Sequence, residues 1–597
     1  MIIIRFNLLQ LWVWLFLGML ISSNVKAAVI DVTHFGAIPD DGLDDQVALQ
    51  FILTHLNNGD KVYFPQGVYH LSAELQLEGK TDIEIYGSTT GRRVTLMATG
   101  FNPFETSVYG GSLWIVSDCK KVNFHDLMID VDKPVSINGS VSDIGSDISG
   151  AYYMLELGEE FIGYNPNLQD LKIMHQLSYE HDGTPNYHIS THYNLKEGKY
   201  PLIEKMDRLK LKIYNDLAAQ LSIGEKINLR LKISGNPCFK FLGVTTLALS
   251  DITIWQWPDF AMYVSDRLNT HFKSKDMTLT RVKMKSKPGS ARLMSISADG
   301  IHIASMEGTF KVRDCEFVGL GDDAINVHSR MCKIEEITEK TVSLINGWTN
   351  KLVEDDWSFP DDVIEFLDGT TGKSKGTAVI SSRHLGRYVM KSVLKHVNPG
   401  DFVVKKTRTP STVINNCTVS RSRARGFVLQ SNDVIVSNNK FSGISGSAVL
   451  LSCDMERWFE ATVIKSALVK GNTIENCGKF LKWNDTLIGY GAIAVKTAHE
   501  IGGIDKPAGV HRNITISKNN IKDCANSAIF VSSTDQIKII DNRIENCSNR
   551  IGIFPYGKYA IYLKNCENDL VQGNKFKKVK EEFGRADKGL HSHLRIR

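Results

Sequence analysis

The stretch Asn415-Asn416-Cys417-Thr418-Val419, answered further on by Asn439-Lys440-Phe441, decides the fold. It states one short pattern twice: Asn or Cys, any residue, then Phe, Ile or Val. The same pattern stands at Cys315-Glu316-Phe317, Asn472-Thr473-Ile474, Asn519-Asn520-Ile521, Asn542-Arg543-Ile544 and Asn574-Lys575-Phe576. Anchors lie 22 residues apart from 417 to 439 and 23 from 519 to 542, and the gaps of 33, 47 and 32 read as one coil carrying an inserted loop. A period in the low twenties, with short β-branched runs such as Val434-Ile435-Val436 and Ile537-Lys538-Ile539-Ile540, marks a solenoid. The leucine frame of leucine-rich repeats is absent. What remains is an all-β chain built as a right-handed parallel β-helix, in which a coil buries its apolar face only by stacking on the next. The Asn and Cys anchors should then form ladders of like residues. Free Cys behaves as a small buried hydrophobe, so Cys315, Cys417, Cys477, Cys524 and Cys547 are read as inward positions of one motif rather than as disulfides.

Composition narrows the class. The chain has 597 residues, 42% of them hydrophobic and 23% charged, which excludes a disordered, collagenous or small disulfide-stapled protein. Lys plus Arg is 70 against 66 for Asp plus Glu, so the net charge of +4 gives no reason to expect nucleic acid or acidic lipid as a partner. A neutral solute fits better. Residues 1–27 read as an export signal, with Arg5 in the charged region, an apolar run from Leu11 to Ile21, and Val25-Lys26-Ala27 ending in a small residue. That run is shorter than the ~20 residues a membrane span needs, so the expectation is a periplasmic or secreted protein with no membrane partner.

Residues 28–130 hold a cap and the first coils. Asp44 can cap a helix over Gln46-Val47-Ala48-Leu49-Gln50-Phe51-Ile52, and Val62-Tyr63-Phe64-Pro65-Gln66-Gly67-Val68-Tyr69 reads as strand, turn and strand. This segment resembles the opening of the pectate-lyase-like β-helix superfamily, so the acidic cluster at 40 to 45 is read as a structural cap. Two regions break the coil rhythm with two-sided alternation. Residues 131–240 contain Leu209-Lys210-Leu211-Lys212-Ile213-Tyr214 and Lys226-Ile227-Asn228-Leu229-Arg230-Leu231-Lys232-Ile233. Residues 332–409 contain Thr341-Val342-Ser343-Leu344 and Asp401-Phe402-Val403-Val404. Both are expected to be inserted antiparallel β-barrel or sandwich domains walling off a cleft, with coils at 241–331 and 410–597.

The chemistry is expected between the insertions. Ser297-Ala298-Asp299-Gly300-Ile301-His302 and Gly319-Leu320-Gly321-Asp322-Asp323-Ala324-Ile325-Asn326 are the acidic phrases. Asp299 and Asp322 are 23 residues apart, one coil, which places them on neighbouring rungs. Asp322 and Asp323 share a face only if the chain bends, as Gly319 and Gly321 permit. Three carboxylates packed together cannot all ionise easily, so one pKa should rise. That suits a glycosidase, in which a protonated carboxyl serves the departing oxygen and an ionised one activates water. Rung spacing is expected to leave room for that water, favouring inversion. A calcium site would want six to eight oxygens where these phrases supply three.

The two phrases are arranged similarly to those of glycoside hydrolase family 28, the polygalacturonases, but the Gly-His-Gly and Arg-Ile-Lys phrases of that family are missing. The chain resembles glycoside hydrolase family 110 more closely and over most of its length. The resemblance is carried by Ala298-Asp299-Gly300-Ile301-His302, Gly321-Asp322-Asp323-Ala324-Ile325-Asn326-Val327-His328, Arg423-Ala424-Arg425-Gly426 and Arg457-Trp458-Phe459-Glu460. It implies metal-independent, cofactor-free, inverting, exo-acting removal of terminal α-1,3-linked galactose, the blood-group B determinant included. On that resemblance Asp322 is the general acid, and Asp299 with Asp323 holds the water as base. Asn326, His302 and His328 are candidate ligands of the sugar. Arg425 could bond hydroxyls or depress a base pKa, Trp458 could offer an apolar platform, and Glu460 could accept a hydroxyl. Each has a plain alternative: a solvent-facing His, an ion-paired Arg, a core-packed Trp. A pectin-cleaving enzyme and a non-catalytic carbohydrate-binding β-helix are the other readings, and the resemblance together with an exposed solenoid flank suggests a homodimer.

Overall fold

A computed structural model describes residues 27–99, 111–133, 135–161, 173–180, 183–192, 201–231, 236–267, 272–347, 349–353, 357–479, 482–483, 486–487, 491–497, 505–548, 557–586 and 595–596. The export signal read at 1–27 lies outside them but for its last residue.

Three parallel sheets of 14, 12 and 12 strands run the length of the chain, each strand pairing with the equivalent strand of the next coil. The β-helix read from the repeat is therefore present. Its interior is one continuous apolar core in which rungs such as Ile301, Ile325, Phe427 and Val449 stack in register. The helix Gln46–His55 closes one end by burying Leu49, Ile52 and Leu53. Asp44 accepts the Gln46 N–H, and Asp45 accepts those of Ile38 and His70, so the acidic cluster is spent on backbone donors.

The ladder is there as well. Asn439, Asn472, Asn519, Asn542 and Asn574 form one file, buried but for Asn574 at its end, in which each side-chain oxygen from Asn472 onward accepts both the backbone N–H and the Nδ2–H of the Asn before it, at 2.9–3.0 Å. Cys417 precedes the file, its N–H donating to Asn439 Oδ1, and Cys315 precedes Cys417. The five cysteines do not share one column, however. Cys315 and Cys417 stand just before the strands Glu316–Val318 and Thr418–Ser420. Cys477, Cys524 and Cys547 follow strands of the same sheet that end at Glu475, Lys522 and Glu545. Both columns bury a small side chain at a turn, which is why the local phrases look alike. All ten cysteines are buried and free.

Two large antiparallel sheets interrupt the coils. One has seven strands between Ser136 and Leu231. In the other, six strands between Ser329 and Lys405 close on themselves as a barrel around Ile334, Leu344, Ile364 and Tyr388. Buried ion pairs fasten that barrel to the solenoid: Lys405 with Asp266, and Arg408 with Asp266, Glu307 and Asp362.

Candidate active site

The site is set by register on one parallel sheet. Strands Ile301–Ile303, Ile325–Val327 and Phe427–Leu429 pair Ile301 with Ile325 and Ile325 with Phe427. Counting back two residues aligns Asp299 with Asp323 and Arg425. The coil is thus 24 residues here, not 23, and Asp299 stacks on Asp323, whose N–H donates to Asp299 Oδ1 at 3.1 Å. Asp322 sits beside this column because the chain turns ahead of the strand. Gly319 has φ +69°, and a Cβ on Gly321 would lie 2.2 Å from the Ser297 carbonyl oxygen, so neither bend accepts a side chain. The three aspartates offer carboxylate oxygens that all lie within 4.8 Å of one another. They are closer than rung spacing suggested, and closer than the ~6.5–9.5 Å usual between inverting carboxyls. Rung spacing therefore gives no argument for inversion.

Charge around the cluster is strongly asymmetric. Asp323 is buried and gripped by Arg425 through Nε and a terminal nitrogen, each at 2.8 Å. Asp322, with 36% of its side chain exposed, is the member that reaches solvent, and a terminal nitrogen of Arg423 lies 3.1 Å from it. Arg423 also donates from Nε to the Gly321 carbonyl. Burial and the charge of Asp322 push Asp299 well above the usual carboxylate range. Burial likewise pushes Asp323 up to about 8 against the pull of Arg425. Burial would raise Asp322 too, but Arg423, Arg425 and Arg230 outweigh it and hold that carboxyl down. The resting cluster therefore stores its protons on the buried members and keeps the exposed one ionised. Three guanidinium groups around a cluster with one ionised carboxylate leave little electrostatic demand for a dication.

A second chain of contacts leads away from Asp299. His302 Nδ1 lies 2.7 Å from Asp299 Oδ2, and its Nε2 lies 3.0 Å from His328 Nε2. His328 Nδ1 faces the Ser329 carbonyl at 3.3 Å. The Phe260 ring stacks on His302 at 4.7 Å. Both nitrogens of each histidine are therefore engaged within the protein, a different placement from the sugar-facing one expected. Asn326, paired in register with His302, keeps a buried Oδ1 with no partner among the described residues.

Arg425 also lines a narrow adjoining cleft, together with Gln430, Leu450, Asp454, Trp458, Glu460 and Lys496, among others. Trp458 is 39% exposed and lies under the Arg457 guanidinium. Glu460 accepts from Gln430 Nε2 at 2.7 Å and lies 3.7 Å from His328. The expected site residues thus converge. Four contributors were not read as such: Arg423, quoted only as part of a phrase, and Gln430, Lys496 and Arg230. Arg230 comes from the antiparallel strand Lys226–Leu231, and only the tertiary fold brings it to Asp322.

The comparisons bear on the fold and on the relatives of the chain. Residues 402–582 match a family model described as a right-handed β-helix region, and residues 29–124 match one described as rhamnogalacturonase A/epimerase, pectate lyase-like. An alpha-1,3-galactosidase A of Bacteroides fragilis is 27% identical over 317 residues, covering 51% of this chain and 50% of the relative. The chain is a homologue of the α-1,3-galactosidases. An alpha-1,3-galactosidase B of Akkermansia muciniphila is 23% identical over 93% of this chain and 70% of its own length. One named alpha-1,3-galactosidase A in Shewanella woodyi is 22% identical over 94% and 93%. The match spans about half the length of several of these curated relatives. Among solved structures, the Agl-KA catalytic domain superposes with a TM-score of 0.50 at 12% identity, covering 97% of this chain and 69% of that one, a likeness of fold alone.

Proposed function

We propose that this chain is an exo-acting glycoside hydrolase that releases terminal α-1,3-linked galactose from glycans, with inversion at the anomeric carbon resting on the resemblance to glycoside hydrolase family 110 rather than on the carboxylate spacing. The observation that carries the proposal is the cluster of Asp299, Asp322 and Asp323, its Asp322 reaching solvent and its Arg425 shared with an adjoining cleft, in a homologue of α-1,3-galactosidases. Asp322, the exposed carboxyl, meets the glycosidic oxygen. In the resting site it is ionised, so it takes up a proton once the sugar covers it and strips its water. Asp323, pushed up to about 8, is the neighbouring store, and losing that proton leaves it as a carboxylate already matched to the Arg425 fork. Asp299 holds the attacking water. Asn326 Oδ1 accepts a hydroxyl, and Trp458 supports the apolar face of galactose. Export through residues 1–27 belongs to the same proposal.

The test is release of galactose from Gal-α-1,3-Gal and from blood-group B trisaccharide, with polygalacturonate in parallel. Galactose from either of the first two supports the reading, and cleavage of polygalacturonate alone would replace it with a pectin-directed one. Proton NMR of the earliest product should show β-galactose; α-galactose first would refute inversion.

A further inference from the structure

The two histidines behind Asp299 are hydrogen-bonded in a sequence whose direction the backbone fixes. A carbonyl oxygen only accepts, so the ring nitrogen facing Ser329 O, His328 Nδ1, carries a hydrogen. A neutral His328 then has a bare Nε2, and the hydrogen in the 3.0 Å contact between the two rings belongs to Nε2 of His302. In a neutral His302, Nδ1 is left as an acceptor. Its partner at 2.7 Å is Asp299 Oδ2, and only a proton on that oxygen satisfies the contact. The opposite direction would set two lone pairs against each other at Ser329. Other groups around the pair agree with a neutral His302 bonded to a protonated Asp299. The rings of Phe260 and Tyr263 stack along His302 and cover part of it. Burial lowers the pKa of both histidines, against the raising influence of Glu460, Asp323, Asp259 and Asp322 on His302; Glu460 also raises His328 while Arg330 lowers it.

We propose that His302, oriented by His328, is the proton sink through which Asp299 acts as base. The proposal rests on the hydrolytic reading above. As the attacking water forms its bond to the anomeric carbon, it gives its proton to Oδ1 of Asp299. The proton on Oδ2 passes to Nδ1 of His302, which becomes an imidazolium. The bond from the anomeric carbon to the departing oxygen breaks as that oxygen takes the proton of Asp322. The reset sends the Oδ1 proton by way of Asp322 back to Asp323, refilling the store, and returns the Nδ1 proton to Oδ2, so no external reagent is consumed. Asp299 never carries a naked charge in its buried setting, which explains why a base can lie so deep. His302 and His328 are positioning residues here: they act through Asp299 and need not touch the sugar.

The direction of the relay is read by nitrogen NMR of the full chain with 15N-labelled histidine, His302 being assigned through its loss in His302→Gln. At neutral pH the wild-type His302 should show a protonated Nε2 and an unprotonated, hydrogen-bonded Nδ1. A neutral ring protonated at Nδ1, or an imidazolium in the resting enzyme, would overturn the proposal. His328→Gln keeps an acceptor for His302 in its amide oxygen and should retain most of kcat. His328→Leu removes the acceptor, frees His302 to turn its hydrogen toward Asp299, and should lower kcat about tenfold or more with KM little changed. Equal loss in both variants, or a loss confined to KM, would contradict the relay. Absence of galactose release by the wild type would strike the hydrolytic reading, whereas the NMR result decides the relay on its own.

Discussion

Replacing Asn472 with Ala tests the internal ladder that keeps the coils in register. Asn472 is fully buried, and its side chain makes four hydrogen bonds. Its Oδ1 accepts from the backbone N–H of Asn439 at 2.9 Å and from Asn439 Nδ2 at 3.0 Å. Its Nδ2 donates to the Val436 carbonyl at 3.1 Å and to Asn519 Oδ1 at 2.9 Å. Asn519 Oδ1 keeps the backbone N–H of Asn472, so truncation there is cushioned. The two donors of Asn439 are orphaned in an apolar interior, at about 1–3 kcal/mol each, and the lost amide leaves a small void. A destabilisation of about 4 kcal/mol follows, equivalent to a roughly thousandfold rise in local opening. Hydrogen exchange measured by mass spectrometry on peptides covering 434–442 should show that loss of protection. Asn546→Ala serves as the surface control, since Asn546 bonds Asp523 on the exterior. Protection within tenfold of wild type in Asn472→Ala would refute the idea that the file of asparagines supports the backbone turns.

Other consequences concern the site. Activity should fall as pH rises through about 8, because Asp323 then loses the proton that the acid draws on; a pH profile of kcat/KM flat to well above that value would contradict the storage role. Asp299 is raised in the folded state, so its neutral form stabilises the fold below the unfolded value of ~3.9 and that contribution is lost as pH climbs toward the folded value. Asp299→Asn should accordingly gain in thermal stability relative to wild type from acid to alkaline pH, and a gap that shrinks would reverse the sign of the argument. Trp458→Ala should raise KM several-fold with a smaller effect on kcat, as for loss of a stacking face worth about 1 kcal/mol; titration of galactose-terminated substrate reads it.

Much of this was legible in the sequence for a physical reason: stacked coils must put like residues on like positions. The anchors at 315, 417, 439, 472, 519, 542 and 574 are the ladder positions, and Phe317, Phe441 and Ile474 after them point into the core. The acidic phrases were legible because Gly319 and Gly321 announce a bend before two adjacent aspartates. Errors arose where one residue of register matters. A local phrase around Cys477 looks like that around Cys417, but the first follows its strand and the second precedes it. Likewise a count of 23 from Asp299 ends at Asp322, while the pairing of Ile301 with Ile325 stacks Asp323 instead. Arg230 was illegible because it lies on an alternating strand of the inserted sheet, where its charge looks like ordinary solvated surface. The contact between the two histidine rings was hidden for a related reason: His302 and His328 are 26 residues apart, and their direction of bonding depends on one backbone carbonyl.

The most direct test of the account is a time course of galactose release from Gal-α-1,3-Gal by the wild type and by Asp322→Asn. The wild type should liberate galactose, and the variant should do so at least about a hundredfold more slowly while remaining folded. A variant that retains most of the wild-type rate, or a folded wild type that leaves both α-1,3-linked substrates intact, would contradict it.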